Sequence, residues 1–522
     1  MVDILFKDIS KKNLKQILDL KGKIITVKQT SGPTLMILTD GSSNFTFKAF
    51  IKPGQRAYPE ADIGDVVLAK VQITERNGSV EAEVKNLKKL EKSEVDLFNK
   101  KIELIQKEKL MPKNTDFTIK SKALESQKQR FIDVSYLIKK AILEGRPILL
   151  RHNADTDGYS SAITIERAVL KFMDSVTGND IMSRYTNYKR APSKAPFYEY
   201  EDSIKDLAMW LKDKVKNGAK TPFIIITDNG STEEDLLSIK QMKIYGCDIV
   251  VVDHHYPGII KNEKVAVDEY IDGHINPYLT GFDSNVCAGM LGYELANFIW
   301  EDNGNSPFIP AMAAILDHTE CTERDQYLEL AKKEGFSEEY LQELGEIIDM
   351  QSHFIRFMEA REYMDDLFGG NIEVQKKIVK MLGSELKQRY DVLEKVGRTY
   401  AKKEDLGNFY LISFNGEKGT FRGEYPQIGK STNYIHKMFE KELDKPIVTM
   451  TYSSTFMTLR ISDGIKNFSV PEFVQLMFNK LPNINANGGG HEHAGSVRFI
   501  EYAKDEVLDL FRKYLEDVNN KQ

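Results

Sequence analysis

Residues 147–157, "PILLRHNADTD", run from an apolar segment directly into a cluster of polar groups. The same pattern recurs at 223–228, "FIIITD", and at 249–255, "IVVVDHH". Strands that are apolar throughout and alternate with helical segments are typical of a parallel sheet covered by helices on both faces. The sequence therefore predicts an α/β domain built around these three strands.

Polar groups follow each of the three predicted strands at its carboxyl end. Because these ends line up along one edge of an open parallel sheet, where ligands bind, we expect their side chains to converge. A further aspartate, in "AAILDHTE", follows a predicted helix. The predicted cluster consists of Asp155, Asp157, Asp228, Asp253, His254, His255 and Asp317.

Metal ions are the expected partners of this cluster. Taken singly, an aspartate after a strand is more often a helix N-cap than a ligand, but three such strand ends together favour ligation. Several carboxylates in one pocket raise one another's pKa unless cations compensate their charge. Carboxylate and imidazole ligands suit Mn²⁺ or Mg²⁺. The number of groups predicts two divalent metal ions about 3.5–4 Å apart, an arrangement that serves phosphoester hydrolysis.

The N-terminal region is predicted to be a basic β-barrel. Residues 20–91 contain roughly five short alternating strands with turns at "DGSS" and "RNGS", which suits a small closed barrel, and their order resembles that of the OB-fold. Residues 1–130 carry 25 Lys and Arg against 17 Asp and Glu, although the whole chain has a net charge of −6. A basic head on an acidic body indicates contact with a polyanion. An uneven but solvated surface is the alternative.

Two aromatic residues of the barrel are candidates for stacking on nucleobases. Phe45 and Phe47 share one face of a predicted strand, and Lys48 lies beside them. Aromatic rings beside a cation are how such barrels hold single strands. The alternative is that both rings fill the core of the barrel.

A glycine-rich loop, "GGGHEHAGS" at 488–496, is a second candidate site. Its glycines would let backbone N–H groups approach an anion closely, and its histidine adds a further donor. Two arginines are candidate partners of phosphate oxygens, although a surface role is the more common outcome for either. The candidate substrate-binding residues of this region are Gly488, Gly489, Gly490, His491, Arg460 and Arg498.

The chain is too long for a single core and divides by pattern into five regions. The region between the two α/β domains is acidic, helical and without a convincing strand, and a protein partner could use its surface. A further strand is predicted near 181–189. The regions are a barrel at 1–95, a basic helical linker at 96–130, the parallel α/β domain at 131–322, the helical insertion at 323–405 and a smaller α/β domain at 406–522.

These motifs resemble those of the DHH phosphoesterase superfamily. "HNADTDG", "TDNGS", "VVDHHYP" and "ILDHTE" occur in the order of the four family motifs. "NGGGHEHAG" is similar to the GGGH motif of the C-terminal domain associated with them. Within the superfamily the chain is most similar to RecJ-like nucleases of the archaeal type with an N-terminal OB domain.

The resemblance implies a role for each residue of the cluster. Asp228 would bridge two ions, His255 would face the substrate phosphate, and Asp253 would support the metal-binding histidine. Asn153 stands where relatives often have Asp or His, so either His152 serves as a ligand instead or one metal site is weakened. The GGGH loop and Arg460 would hold the substrate strand over the metals. The implied ligands are Asp155, Asp157, Asp228, His254, Asp317 and His152, and the implied catalytic residues are Asp253, His255 and Asp157.

The resemblance implies a single-strand-specific exonuclease that releases mononucleotides, 5′→3′ on DNA as in RecJ. The alternatives are a 3′→5′ exoribonuclease, a hydrolase of short oligonucleotides or nucleotides, and a non-catalytic replication scaffold. The expected partners are single-stranded DNA or RNA and a replication or RNA-processing protein. Neither a signal peptide nor an apolar run of ~18–20 residues is recognisable, so we expect a cytoplasmic protein without a membrane partner.

Overall fold

The chain forms two units, Met1–Lys376 and Lys377–Gln522. The computed structural model describes residues 4–521 except 53, 77–78, 178–180, 194, 218–219, 357, 420–423, 483, 485 and 492. For residues 106, 181–183, 215–217, 419, 487 and 491 it describes the backbone alone. Among the described residues, no helix combines the length and the apolar character needed to cross a membrane.

A closed five-stranded barrel begins the first unit, which confirms the predicted OB-like fold. Its strands are β1 (Ile17–Gln29), β2 (Thr34–Thr39), β3 (Asn44–Ala49), β4 (Val66–Arg76) and β5 (Ser79–Lys89). They follow the order β1–β2–β3–β5–β4, and only β3 and β5 pair in parallel. Alternate side chains of the strands point inward and form an apolar core that includes Leu38, Phe47 and Val71.

Three helices lead from the barrel to the next domain: α1 (Lys92–Leu110), α2 (Lys122–Ser126) and α3 (Lys128–Leu143). The turn between β2 and β3 contacts two helical segments later in the chain. Ser43 Oγ donates a hydrogen bond to the carbonyl of Val176 (2.6 Å), and Lys109 Nζ donates to the carbonyl of Ser42 (2.7 Å). These contacts fasten the barrel within the first unit.

A five-stranded parallel sheet forms the centre of the first unit, as predicted. The strands are β6 (Ile148–Asn153), β7 (Tyr188–Ser193), β8 (Phe223–Thr227), β9 (Asp248–Val252) and β10 (Gly273–Ile275). Their order is β10–β9–β8–β6–β7, so the direction of winding changes between β6 and β8. The accompanying helices are α4 (Thr156–Thr177), α5 (Ile181–Asn187), α6 (Tyr200–Asn217), α7 (Leu236–Ile244), α8 (Ala288–Ile299) and α9 (Phe308–Leu316).

The strand predicted near 181–189 overlaps the observed strand only at its last two residues. Residues 181–187 form helix α5, and the strand β7 begins only at Tyr188. Arg190 and Pro192 make this segment unlike a buried strand in composition. β7 lies at the edge of the sheet, where a proline is tolerated because one side of the strand needs no ladder hydrogen bond.

Helices dominate the region after the parallel sheet: α10 (Thr322–Lys333), α11 (Glu338–Ile355), α12 (Arg361–Asp365) and α13 (Ile372–Tyr400). The boundary between the units falls within α13, after Lys376. Contrary to the prediction, the region also contains a strand, β11 (Lys402–Asp405). All four of its residues are exposed, so it lacks the apolar pattern by which a strand is recognised.

The second unit is built on a six-stranded mixed sheet in the order β11–β12–β13–β14–β16–β15. The glycine-rich segment that we predicted as a loop forms the edge strand β15 and part of the hairpin to β16. The remaining elements are β12 (Tyr410–Asn415), α14 (Gly416–Gly419), α15 (Ile428–Glu440), β13 (Ile447–Tyr452), β14 (Phe456–Ile461), α16 (Val470–Lys480), β15 (Asn487–His491), β16 (Ala494–Arg498) and α17 (Lys504–Lys521).

Candidate metal centre

Acidic and imidazole groups meet at the carboxyl edge of the parallel sheet, where the winding changes between β6 and β8. Asp157 follows β6, Asp228 follows β8 and His254 follows β9. His254 Nε2 lies 3.4 Å from Asp228 Oδ1 and 3.6 Å from Asp157 Oδ2. The structure therefore brings together groups that the chain separates widely.

Asp157 lies in the first turn of α4, and the start of α8 holds its carboxylate. Asp157 Oδ2 accepts a hydrogen bond from Ala288 N (2.9 Å), and Oδ1 accepts one from Gly289 N (2.8 Å). The first N–H groups of a helix have no partner within the helix and attract anions. A Cβ at Gly289 would lie 2.9 Å from Asp157 Oδ1, so glycine permits this close approach.

Asp228 is a buried carboxylate with one unsatisfied oxygen. The residue is 1% exposed, and its Oδ2 makes no hydrogen bond to any residue that the structure describes. Burial, followed by the charges of Asp155 and Asp157, raises the pKa of Asp228 well above its ordinary value. A buried oxygen without a partner, among like charges, is a position that a divalent cation would satisfy.

Asp253 orients the two histidines that follow it. Its Oδ1 accepts hydrogen bonds from His254 N (2.8 Å), from His255 N (3.2 Å) and from His255 Nδ1 (2.8 Å). Its Oδ2 accepts one from Ser231 N (3.2 Å). Burial raises the pKa of Asp253, but the charge and the hydrogen bond of His255 outweigh burial and hold it below its usual range. Asp253 therefore fixes the position of both histidines through hydrogen bonds.

His254 is held so that one ring nitrogen faces the acids. Its Nδ1 donates to the carbonyl of Ser284 (2.8 Å), which leaves Nε2 directed at Asp228 and Asp157. Burial lowers the pKa of His254, but the surrounding carboxylates, Asp317 first, raise it well above its ordinary value. A histidine whose second nitrogen is fixed by a carbonyl is the usual form of a metal ligand.

Asp317 is the one proposed ligand of the cluster that follows a helix and not a strand. It is the C-cap residue of α9, and its Oδ2 lies 3.8 Å from His254 Nδ1. Burial raises the pKa of Asp317 to about 7, although the charge of His254 opposes this rise. Two triads have ligand atoms within 4.8 Å of one another: Asp228, His254 and His255, and Asp157, His254 and Asp317. The donor set and the unsatisfied Asp228 oxygen fit divalent cations.

Asp155 approaches the cluster but is clamped by Asn153. Asn153 Nδ2 donates a hydrogen bond to Asp155 Oδ2 (2.6 Å), and Gly158 N donates to Asp155 Oδ1 (3.0 Å). Burial, followed by the charge of Asp349, raises the pKa of Asp155 to about 6. Asn153 thus positions an acid of the cluster.

His152, predicted as a possible ligand, has both ring nitrogens engaged by groups outside the cluster. It is fully buried, its Nδ1 donates to the carbonyl of Asn153 (2.6 Å), and its Nε2 accepts from Arg190 (3.4 Å). Burial and then the charge of Arg190 lower its pKa well below the ordinary value. Because both ring nitrogens have other partners, we remove His152 from the proposed ligands.

Sequence reasoning missed Asp349 on α11. Thr156 donates two hydrogen bonds to Asp349 Oδ1, from its backbone N and from its Oγ1, both at 2.7 Å. Asp349 is buried and fixes the segment between Asp155 and Asp157. The available signal was its position in the apolar stretch "EIIDM", where a lone aspartate on the buried face of a helix needs a specific partner.

The two aromatic rings predicted to stack on nucleobases pack against each other in the barrel. Phe47 is fully buried in its core, and Phe45 packs edge-on against Phe47 at 6.0 Å between ring centroids. Lys48 forms an ion pair with Glu81. The prediction of base stacking is wrong for Phe47, because the interior of a small barrel is filled by side chains.

In the second unit the two arginines lie at opposite ends of the hairpin formed by β15 and β16, Arg460 on the neighbouring strand β14 and Arg498 on β16 itself. Arg460 pairs with Ala494 across β14 and β16, next to the turn after His491, and burial lowers its pKa. Arg498 is exposed at the other end of the hairpin, opposite Asn487. Gly488, Gly489 and Gly490 are at least partly exposed, whereas the side chain of His491 lies outside the described residues.

The chain is similar along nearly its whole length to an uncharacterized protein of Methanocaldococcus jannaschii. The two are 35% identical over 542 aligned residues, which cover 99% of this chain and 71% of the relative. No family model matches the chain.

Two solved structures share the fold. A DHH domain described as belonging to a member of a family of ribosomal proteins is 35% identical, with a TM-score of 0.77 over 81% of this chain and 99% of that one. RecJ from Thermus thermophilus, in complex with Mn²⁺, is 15% identical, with a TM-score of 0.53 over 80% of this chain and 58% of that one.

Proposed function

Because the chain belongs to the DHH phosphoesterase superfamily, we propose that it is a metal-dependent exonuclease that removes nucleotides from an end of single-stranded nucleic acid. The observation that carries this proposal is the convergence of Asp157, Asp228, His254 and Asp317, with one buried Asp228 oxygen unsatisfied by any described residue. Divalent cations would compensate the charge of these carboxylates and satisfy the buried oxygen.

Two divalent ions are proposed to occupy the centre, held by Asp155, Asp157, Asp228, His254 and Asp317. The similarity to RecJ solved with Mn²⁺ supports manganese, and the oxygen-rich ligand set is also compatible with magnesium. When bound, such ions activate water and stabilise the charge on the oxygens of a phosphodiester.

His255 and Asp253 are proposed to act on the substrate side of the centre. His255 is partly exposed, with 26% of its side chain accessible, and its Nδ1 is held by Asp253. This hydrogen bond directs the opposite edge of the ring away from Asp253, so that its Nε2 can donate to a phosphate oxygen. In the second unit, Arg460 and the glycine strand β15 are proposed to bind the sugar–phosphate backbone.

The sugar and the direction of cutting define two versions of this function. The RecJ-like fold favours 5′→3′ cutting of DNA. The description of the 35% identical DHH domain as part of a ribosomal-protein family favours RNA, and a 3′→5′ exoribonuclease is the second candidate.

A digestion with increasing Mn²⁺ tests the proposal. One strand is supplied as DNA and as RNA, labelled at the 5′ or the 3′ end, with Asp317→Ala as the inactive control. Immediate release of the 5′ label from DNA as a mononucleotide is the expected result. Preference for RNA or loss of the 3′ label supports the second candidate, and binding without cleavage of either strand refutes both.

A further inference from the structure

Two tyrosine rings lie at the rim of the candidate metal centre without being part of it. Tyr256 follows His255 directly and is 55% exposed. Its ring packs edge-to-face against that of Tyr278, at 5.4 Å between centroids and an angle of 78°. An aromatic ring with this much exposed surface beside the candidate metal centre can contact a ligand.

A buried asparagine fixes the two turns that carry these rings. Asn276 Nδ2 donates a hydrogen bond to the carbonyl of His255 (3.0 Å), and Asn276 Oδ1 accepts one from Tyr278 N (3.0 Å). Asn276 is fully buried. Because one amide side chain holds both turns, the rings are pre-organised and little conformational entropy is lost when a ligand stacks on them.

A third exposed ring, that of Phe282, lies four residues after Tyr278 in the chain. Phe282 is 37% exposed, and its N–H donates to the carbonyl of Pro277 (3.1 Å). Two residues further along the chain, the carbonyl of Ser284 accepts the hydrogen bond from His254. We call Tyr256, Tyr278 and Phe282 the aromatic rim.

We infer that the aromatic rim is a binding subsite for a nucleobase of the nucleotide next to the cleaved phosphodiester. Aromatic rings stack on the faces of bases, and this contact tolerates any sequence because every base has a π-face. Phosphate groups gain nothing from such a surface. The inference rests on the proposed function and deepens it, since it requires a substrate with a base and disfavours inorganic polyphosphate or pyrophosphate.

Strands with and without terminal bases test the subsite. We expect the wild type to cleave an intact strand with a kcat/KM roughly tenfold or more above that for a strand with abasic units at both ends. Tyr256→Ala should lose most of this ratio between the two strands, whereas Tyr256→Phe should retain it. Tyr245→Ala is the matched control, since Tyr245 is 44% exposed and precedes β9 at the opposite edge of the sheet. Equal behaviour of Tyr256→Ala and wild type on both strands overturns the inference.

A binding measurement separates this inference from the proposed function. Titration calorimetry compares adenosine 5′-monophosphate with ribose 5-phosphate, with no turnover required. If the wild type cleaves no strand but prefers the nucleotide, and Tyr256→Ala abolishes that preference, the nuclease proposal fails and the subsite stands. Equal affinity for the two ligands, or no binding of either, overturns the subsite.

Discussion

Asp228 holds a buried carboxylate in the left-handed region of the backbone, at a φ of 56°. A Cβ makes this conformation costly, and such strain persists where the surrounding structure over-determines it, often at functional sites. The neighbouring carboxylates of Asp155 and Asp157 add repulsion. In the metal-free protein, Asp228 therefore carries a local free-energy cost, and a bound cation would offset the part that comes from charge repulsion.

Asp228→Asn should weaken Mn²⁺ binding without lowering the stability of the metal-free protein. Without metal, the variant should unfold at the same temperature as the wild type or a higher one, because one repelling charge is gone. Mn²⁺ at a hundredfold excess over its Kd should stabilise the wild type by about 2.7 kcal/mol and the variant far less. Calorimetry with Mn²⁺ and with EDTA measures this. Asp302→Asn, whose side chain is 98% exposed, is the control, and equal stabilisation of wild type and Asp228→Asn would contradict the assignment.

Lys139 should make the free energy of unfolding depend on pH in the alkaline range. It is 2% exposed on α3, its Nζ donates to the carbonyl of Phe298 (3.1 Å), and burial lowers its pKa to about 8. Between this pH and the unfolded pKa of about 10.4, the unfolded chain binds more protons than the folded one. Stability therefore rises with pH in this window, by about 3 kcal/mol from this group.

Urea unfolding of Lys139→Met at pH 8 and pH 10 measures this effect. The gain of the wild type over the variant between the two pH values should be about 2–3 kcal/mol. Lys140→Met is the control, because Lys140 is its exposed neighbour on the same helix. Parallel pH profiles for wild type and Lys139→Met would show that the lysine keeps its ordinary pKa.

At the scale of elements, the contact between α4 and α8 sets the geometry of the first motif. The two helices approach so closely that a Cβ at Gly292 would lie 2.2 Å from Ser161 Oγ and 2.6 Å from Ser161 Cα. The same contact brings the N-terminus of α8 to the carboxylate of Asp157. The packing of two helices thus positions a proposed metal ligand.

Gly292→Ala should disturb this contact. Overpacking of this kind costs typically about 1–3 kcal/mol, and the helix shift should also weaken Mn²⁺ binding. Gly429→Ala on α15 is the matched control, since a Cβ there meets nothing within 4 Å and should stabilise its helix by up to about 1 kcal/mol. Chemical denaturation and Mn²⁺ titration of both variants test the prediction, and unchanged Mn²⁺ affinity in Gly292→Ala would separate the helix contact from the site.

At the scale of the whole molecule, the basic barrel is proposed to retain the strand between cuts. Lys70 and Lys88 are exposed on the outer face of β4 and β5, where Lys70 pairs with Asn86 and Lys88 with Leu68. Each phosphate contact to a single strand contributes about −0.7 to the slope of log K against log salt concentration.

The double variant Lys70→Glu/Lys88→Glu should bind a long single strand more weakly and with a slope smaller by about 1.4. Hydrolysis of a dinucleotide, which does not need the barrel, should be unchanged. Lys332→Glu/Lys333→Glu on α10 exchanges the same charges on another exposed surface. If the two double variants bind the long strand equally well, the outer face of β4 and β5 is not where the strand lies.

The sequence by itself determined the sheet and the main members of the centre. Apolar strands ending in Asp155, Asp228 and Asp253 are a local pattern, and the parallel sheet brings those ends to one edge, so their proximity follows from topology. The bounds of the edge strand β7 and the existence of the edge strand β11 could not be predicted in this way, because neither segment has an apolar pattern in its own residues.

Only the tertiary structure decided which groups face the centre and which support it. His152 is adjacent to the first motif but turns toward Arg190, and Phe47 turns into the barrel core, since burial depends on neighbours far along the chain. Asp349 and Asn276 contact the site from remote segments, through hydrogen bonds to Thr156 and His255 that no local pattern encodes. Sequence periodicity specifies the face of an element, whereas packing specifies what that face meets.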